Sequence, residues 1–154
     1  MKELIAILIA MILMSLFFFG NYDLINTGKV VDKKYESEIK TRFSLILQGY
    51  NTYNLNERRT LPISNWQSEY QKYSSLPNDF KNMSWSYNSN SNGNYFCLSG
   101  EVFSENIINA LNNIKNNYPV DSFYYNTNCG STTNFLENPS ISSGVQVSAT
   151  FYIK

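Results

Sequence analysis

Residues 4–19 read LIAILIAMILMSLFFF, sixteen consecutive positions with no charge and nothing more polar than Ser15. A stretch this apolar on every side cannot form the surface of a water-facing helix; it calls for lipid, protein or an export machinery. Eleven of its sixteen residues are Leu, Ile or Phe, which together favour a bilayer by about 3–6 kcal/mol on the insertion scale. As a helix it is about 24 Å long, a little short of the ~20 residues that a span requires. Gly20, Asn21 and Tyr22 extend it, and Tyr22 falls where an interfacial aromatic belongs. The run closes on Phe17, Phe18 and Phe19 with no small-x-small site before Asn21 and no neighbouring Cys. A retained signal anchor is therefore expected rather than a cleaved signal peptide or a lipoprotein. The expected anchor residues are Leu4, Ile5, Ile9, Ile12, Leu16, Phe17, Phe18 and Phe19, with the lipid bilayer as their partner. The expected organisation is an anchor over 1–22, a linker over 23–31 and an exported domain over 32–154.

The cysteines agree with export. Only Cys97 and Cys129 are present, both in the polar part of the chain. In an oxidising compartment they can pair, closing a loop of about 33 residues worth roughly 3.5–4 kcal/mol in the chain-entropy model. In a reducing compartment they are two unrelated thiols. With no His in the chain, two cysteines cannot build a structural zinc site. Formal net charge is zero, so there is no cationic excess to neutralise phosphates and nucleic acid is not expected as a partner. Lys29 to Arg42 holds five basic and three acidic residues, a mixture that suits a solvated helix face better than an anionic-lipid patch.

Periodicity gives the elements. Tyr35, Ile39, Phe43, Ile46, Leu47, Tyr50 and Tyr53 recur at spacings of three and four, which predicts an amphipathic helix over Asp32 to Tyr53. A short helix is predicted from Ser64 to Tyr73, capped by Ser64, with Ile63, Trp66, Tyr70 and Tyr73 on one face. Met83, Trp85 and Tyr87 alternate with polar residues as in a strand, and Asn92-Gly93 predicts a hairpin into a second strand carrying Cys97. A third helix is predicted after Ser104, burying Phe103, Ile107, Leu111, Ile114 and Tyr118 and ending at Pro119. A short strand follows over Ser122 to Asn126, and a loop closes at Pro139 and Gly144. The alternation of Val145, Val147, Ala149, Phe151 and Ile153 predicts a half-buried terminal strand. The fold class is α+β: an N-terminal transmembrane helix, an amphipathic helix, then a small antiparallel sheet with an inserted helix.

Catalytic patterns are missing. Without His, neither Ser-His-Asp nor Cys-His chemistry can be assembled. Cys129-Gly130-Ser131-Thr132-Thr133 lacks the lysine and glycine spacing of a phosphate loop. Glu101 and Glu105 could meet near the start of the third helix, but carboxylates there ordinarily offset the helix dipole. Asp121 and Glu137 stand alone, and no carboxylate set has calcium-loop spacing. No enzyme activity, catalytic residue, metal or cofactor is expected. The tyrosines, twelve in all, would suit a wet contact surface among Asn and Ser.

An apolar N-terminal helix, an amphipathic helix and an antiparallel sheet with a Cys pair in its C-terminal half resembles the type IV pilin and pseudopilin plan. No Gly precedes the apolar run and Glu3 lies only at the third position, so a processed pilin leader is not evident. The chain also resembles the small PilM-type proteins of type IVb and conjugative thin-pilus operons. That resemblance runs through Phe43 and Tyr50, Leu76-Pro77, Trp85-Ser86-Tyr87, Gly93-Asn94-Tyr95-Phe96, Cys129-Gly130, Pro139 and Gly144-Val145-Gln146-Val147. It implies a non-enzymatic accessory protein of type IV pilus assembly, anchored once in a bacterial inner membrane with its domain in the periplasm. Its implied partners are other pilus-assembly proteins or pilins. A minor pilin entering the filament, and an exported hydrolase or effector with a cleaved signal, are the alternatives.

Overall fold

The computed structural model describes residues 2–117, 122–134 and 144–153, with side chains described from Thr27 onward. Helix α1 runs Lys2–Glu57. The described part of α1 carries Ile39, Phe43, Ile46, Tyr50 and Tyr53 on one buried stripe. Their spacing of four, three, four and three puts all five on the same side of a 3.6-residue turn. The other side of these turns is charged, with Glu36–Lys40 and Glu38–Arg42 pairs one turn apart.

A spanning helix needs about 20 residues that are apolar all round, because lipid offers no partner for polar groups on any side. Among the described residues no helix is long and apolar enough to cross a membrane. This corrects the expected N-terminal transmembrane helix. With it go the lipid bilayer as partner, the single-pass inner-membrane location with a periplasmic domain, and the role of an inner-membrane-anchored accessory protein. The proposed anchor side chains, Leu4, Ile5, Ile9, Ile12, Leu16, Phe17, Phe18 and Phe19, themselves lie outside the described residues.

The α+β class and the small antiparallel sheet are present. Helix α2 spans Trp66–Gln71 and α3 spans Glu105–Asn117. The strands are β1 (Met83–Asn90), β2 (Gly93–Val102), β3 (Phe123–Asn126) and β4 (Val145–Tyr152). They form one sheet in the order β1-β2-β4-β3, and each neighbouring pair is antiparallel. β2 and β3 thus run parallel with β4 between them, and α3 is the crossover that links them. The hairpin turns over Ser91-Asn92, with Asn90 opposite Gly93.

All three helices lie on one face of the sheet. α1 sits centrally, with Phe43 against Trp85, Phe123 and Phe151. α2 lies over the β1–β2 end, where Trp66 meets Tyr87 and Phe96. α3 buries Ile107, Ile108, Leu111 and Ile114 on the other flank. Two predicted core residues are exposed instead: Phe103 by 58% and Ile63 by 48%. Each lies just outside its helix, where the helical period no longer sets direction. Ser64 does not cap α2; Asn65 holds that position without a side-chain bond. Tyr118, Pro119 and Pro139 lie outside the described residues.

Close approach fixes one glycine. A Cβ on Gly100 of β2 would stand 2.0 Å from the Asn82 carbonyl oxygen and 2.8 Å from the Met83 Cα. Both obstacles are backbone, so no rotamer change relieves them. Gly100→Ala is expected to destabilise the fold by about 1–3 kcal/mol, the usual range for overpacking. The urea midpoint measures it, and an unchanged midpoint would show that β1 and β2 can part at this point without loss.

Candidate functional site

The outer face of the sheet, away from the helices, is where the C-terminal residues converge. Cys97 of β2 and Cys129 are joined by a disulfide. The bridge holds the loop 127–134 flat on β2 and β4. Gly130, with φ +77°, adopts the left-handed conformation that suits a residue without Cβ. Its N–H donates to Thr150 Oγ1 at 3.0 Å. Its carbonyl accepts Tyr152 Oη at 2.6 Å and Asn90 Nδ2 at 2.9 Å. Tyr95 and Tyr152 lie with ring centres 5.3 Å apart and planes inclined by 59°, and burial pushes the Tyr95 hydroxyl above its ordinary pKa. The Asn126 carboxamide donates to Ser131 Oγ and to the Thr133 carbonyl and hydroxyl. The loop therefore has a fixed shape and presents Ser, Thr and Asn to solvent.

A second polar arrangement lies between α1 and α3. Asp32 accepts Asn106 Nδ2 at 2.7 Å and Asn109 Nδ2 at 3.4 Å. Asn106 also donates to the Gly28 carbonyl. Beside them a cleft of about 340 Å³ is lined by Lys29, Asp32, Lys33, Asn109, Asn112 and Asn113. The Asp32 carboxylate is already engaged on both oxygens, which suits a seam holding two helices in register.

A third cluster fastens α2 to the end of α1. Glu69, only 8% exposed, pairs with Arg59 and Lys72. The Tyr73 hydroxyl donates to Glu57, holding that carboxyl below its ordinary pKa and raising Tyr73. Lys72 is raised chiefly by its hydrogen bond to Glu69. Each charge has an opposite neighbour, which makes the cluster a clamp.

Of the candidate residues from the sequence, Glu101 is an exposed residue of β2 and Glu105 opens α3. Among the described residues neither carboxylate makes an ion pair. Asp121 and Glu137 lie outside the described residues. Among the described residues no group of His, Cys, Asp or Glu could hold a metal ion. The asparagines of α3 are the site residues that sequence reasoning missed. Their signal was present: Asn106, Asn109 and Asn113 recur at helical spacing opposite the apolar stripe. The chain matches no protein-family model, and no curated protein or solved structure matches it.

Proposed function

We propose that this chain is a non-enzymatic type IV pilus biogenesis protein on the pilin plan, similar to the small PilM-type proteins. The observation that carries the proposal is the arrangement of a long N-terminal helix, an antiparallel sheet and a disulfide-pinned C-terminal loop. The C-terminal half of α1 is laid by one apolar stripe along the sheet, and the loop covers the opposite face. The loop presents Ser, Thr and Asn to solvent in a fixed shape, which suits a wet contact surface.

The test is deletion of the gene in its host, with filaments counted by electron microscopy. Loss of surface pili, restored by the wild-type gene, is the expected result. Undiminished piliation and unchanged pilus-dependent adhesion in the deletion strain would sink the proposal.

A further inference from the structure

At the end of β2, Glu101 and Phe103 are both exposed, Phe103 by 58%. Both line a cleft of about 300 Å³, together with Tyr35 of α1, Lys81, and Ile107 of α3. Gly144, at φ +83°, lets the two side chains stand together. A Cβ there would lie 2.6 Å from Phe103 Cε1 and 2.7 Å from Glu101 Oε1, so ring edge and carboxylate sit side by side. Lys81 holds φ +54°, a left-handed conformation that a residue with a Cβ seldom adopts. Its ammonium lies 5.2 Å from the centre of the Tyr35 ring. Backbone held in so sparsely populated a region concentrates at ligand sites. The charges of the cleft are not matched to each other. Among the described residues Glu101 makes no ion pair. The α3 dipole has its own carboxylate, Glu105, in the first turn.

We propose that this cleft binds an arginine side chain presented by a peptide segment of another protein, its guanidinium laid on the Phe103 ring and forked to the Glu101 carboxylate. An unpaired carboxylate beside an exposed aromatic ring is the combination that recognises an organic cation: the carboxylate takes the charge and the N–H groups, and the ring face takes the plane. A guanidinium suits both better than an ammonium does, because it is flat, weakly hydrated and forked. The chain's own arginines, Arg42, Arg58 and Arg59, do not line the cleft, so the guanidinium comes from another molecule. Asn82 and Ser104, which do line it, supply neutral donors and acceptors for a peptide backbone. The site rests on this cleft alone and stands or falls separately from the pilus reading.

The experiment is an NMR titration of the full-length protein with the capped peptide acetyl-Gly-Arg-Gly-amide. The amides of Glu101, Phe103 and Ser104 should shift, and less so as salt is added. The same peptide with citrulline, which keeps the shape and loses the charge, should bind about fivefold or more weakly. Glu101→Gln and Phe103→Leu should each weaken binding by roughly two- to fivefold. Both side chains are exposed, so both variants should keep the wild-type melting temperature. No shift at these amides in tens of millimolar peptide overturns the proposal. So does equal binding of the citrulline peptide, or unchanged binding by both variants. Tighter binding of free arginine than of the capped peptide would overturn the peptide as its source. Self-association without peptide that Glu101→Gln abolishes would make the occupant a second copy and overturn the separate partner.

Discussion

Phe43→Ala should lower stability by about 3–5 kcal/mol, the range for removing a buried aromatic ring. Phe43 is only 1% exposed. Its ring stands edge-on to Trp85 at 5.0 Å and to Phe123 at 5.9 Å, and tilted on Phe151 at 5.8 Å. Those partners belong to β1, β3 and β4, so one side chain of α1 ties the helix to both edges of the sheet. Each aromatic pair adds about 0.5–1.5 kcal/mol beyond the area it buries. The cavity left by alanine cannot easily collapse, because α1 is held at other points by Tyr50 on Phe96 and by Asp32 on α3. In a chain of this length the melting temperature should fall by roughly 6–20 °C. Phe43→Leu, which keeps most of the volume, should lose about half as much or less. A loss under about 1 kcal/mol for the alanine variant would mean the helix is held by other contacts, and the central role of this ring would be wrong.

Phe43 was visible in the sequence because it falls on a stripe with Ile39, Ile46 and Tyr50, and periodicity reports shared direction. The same is true of Met83, Trp85 and Tyr87. Periodicity does not report what covers the opposite face. β4 was expected to be half-buried, yet Ser148 and Thr150 are 2% and 1% exposed alongside Val147 and Ala149. The cover is the loop 127–134, brought there from far away in sequence by the Cys97–Cys129 bridge. Strand order was illegible for a similar reason. Placing β4 between β2 and β3 satisfies no local preference of any of the three; it follows from α3 needing a sheet face to lie on. Phe103 and Ile63 escape burial because each precedes its helix, where the helical period does not set the direction of a side chain. The apolar run at 4–19 shows the limit of composition, since hydropathy alone suggested a span that is not found among the described residues. Of the candidate contact surfaces, the Cys pair was legible as a possibility. The seam of Asp32 with Asn106 and Asn109 is legible only as a shared polar face of α3, because such a face is ordinarily left to solvent and its spacing names no partner.

Removing the disulfide should be nearly as costly as removing the Phe43 ring, but the damage should be distributed differently. With a separation of 32 residues, the bridge restricts the unfolded chain by about 3.5–4 kcal/mol in the entropy model. The folded state also loses local order. Without the bridge, the loop 127–134 is held to the sheet by the bonds of Gly130 to Thr150, Tyr152 and Asn90. It is also held by the bond between the Ser148 hydroxyl and the Thr127 carbonyl. Such bonds contribute about 1 kcal/mol each and exchange readily with water once the loop can lift. Cys97→Ala/Cys129→Ala should therefore melt roughly 7–16 °C lower than the wild type. Its amide exchange should rise first over 127–134 and at the outer-face residues of β4, before α1 or β1 responds. Uniform loss of protection throughout the chain would contradict this order and make the loop part of the cooperative core. Equal stability with and without the bridge would mean that the polar bonds of Gly130 hold the loop by themselves.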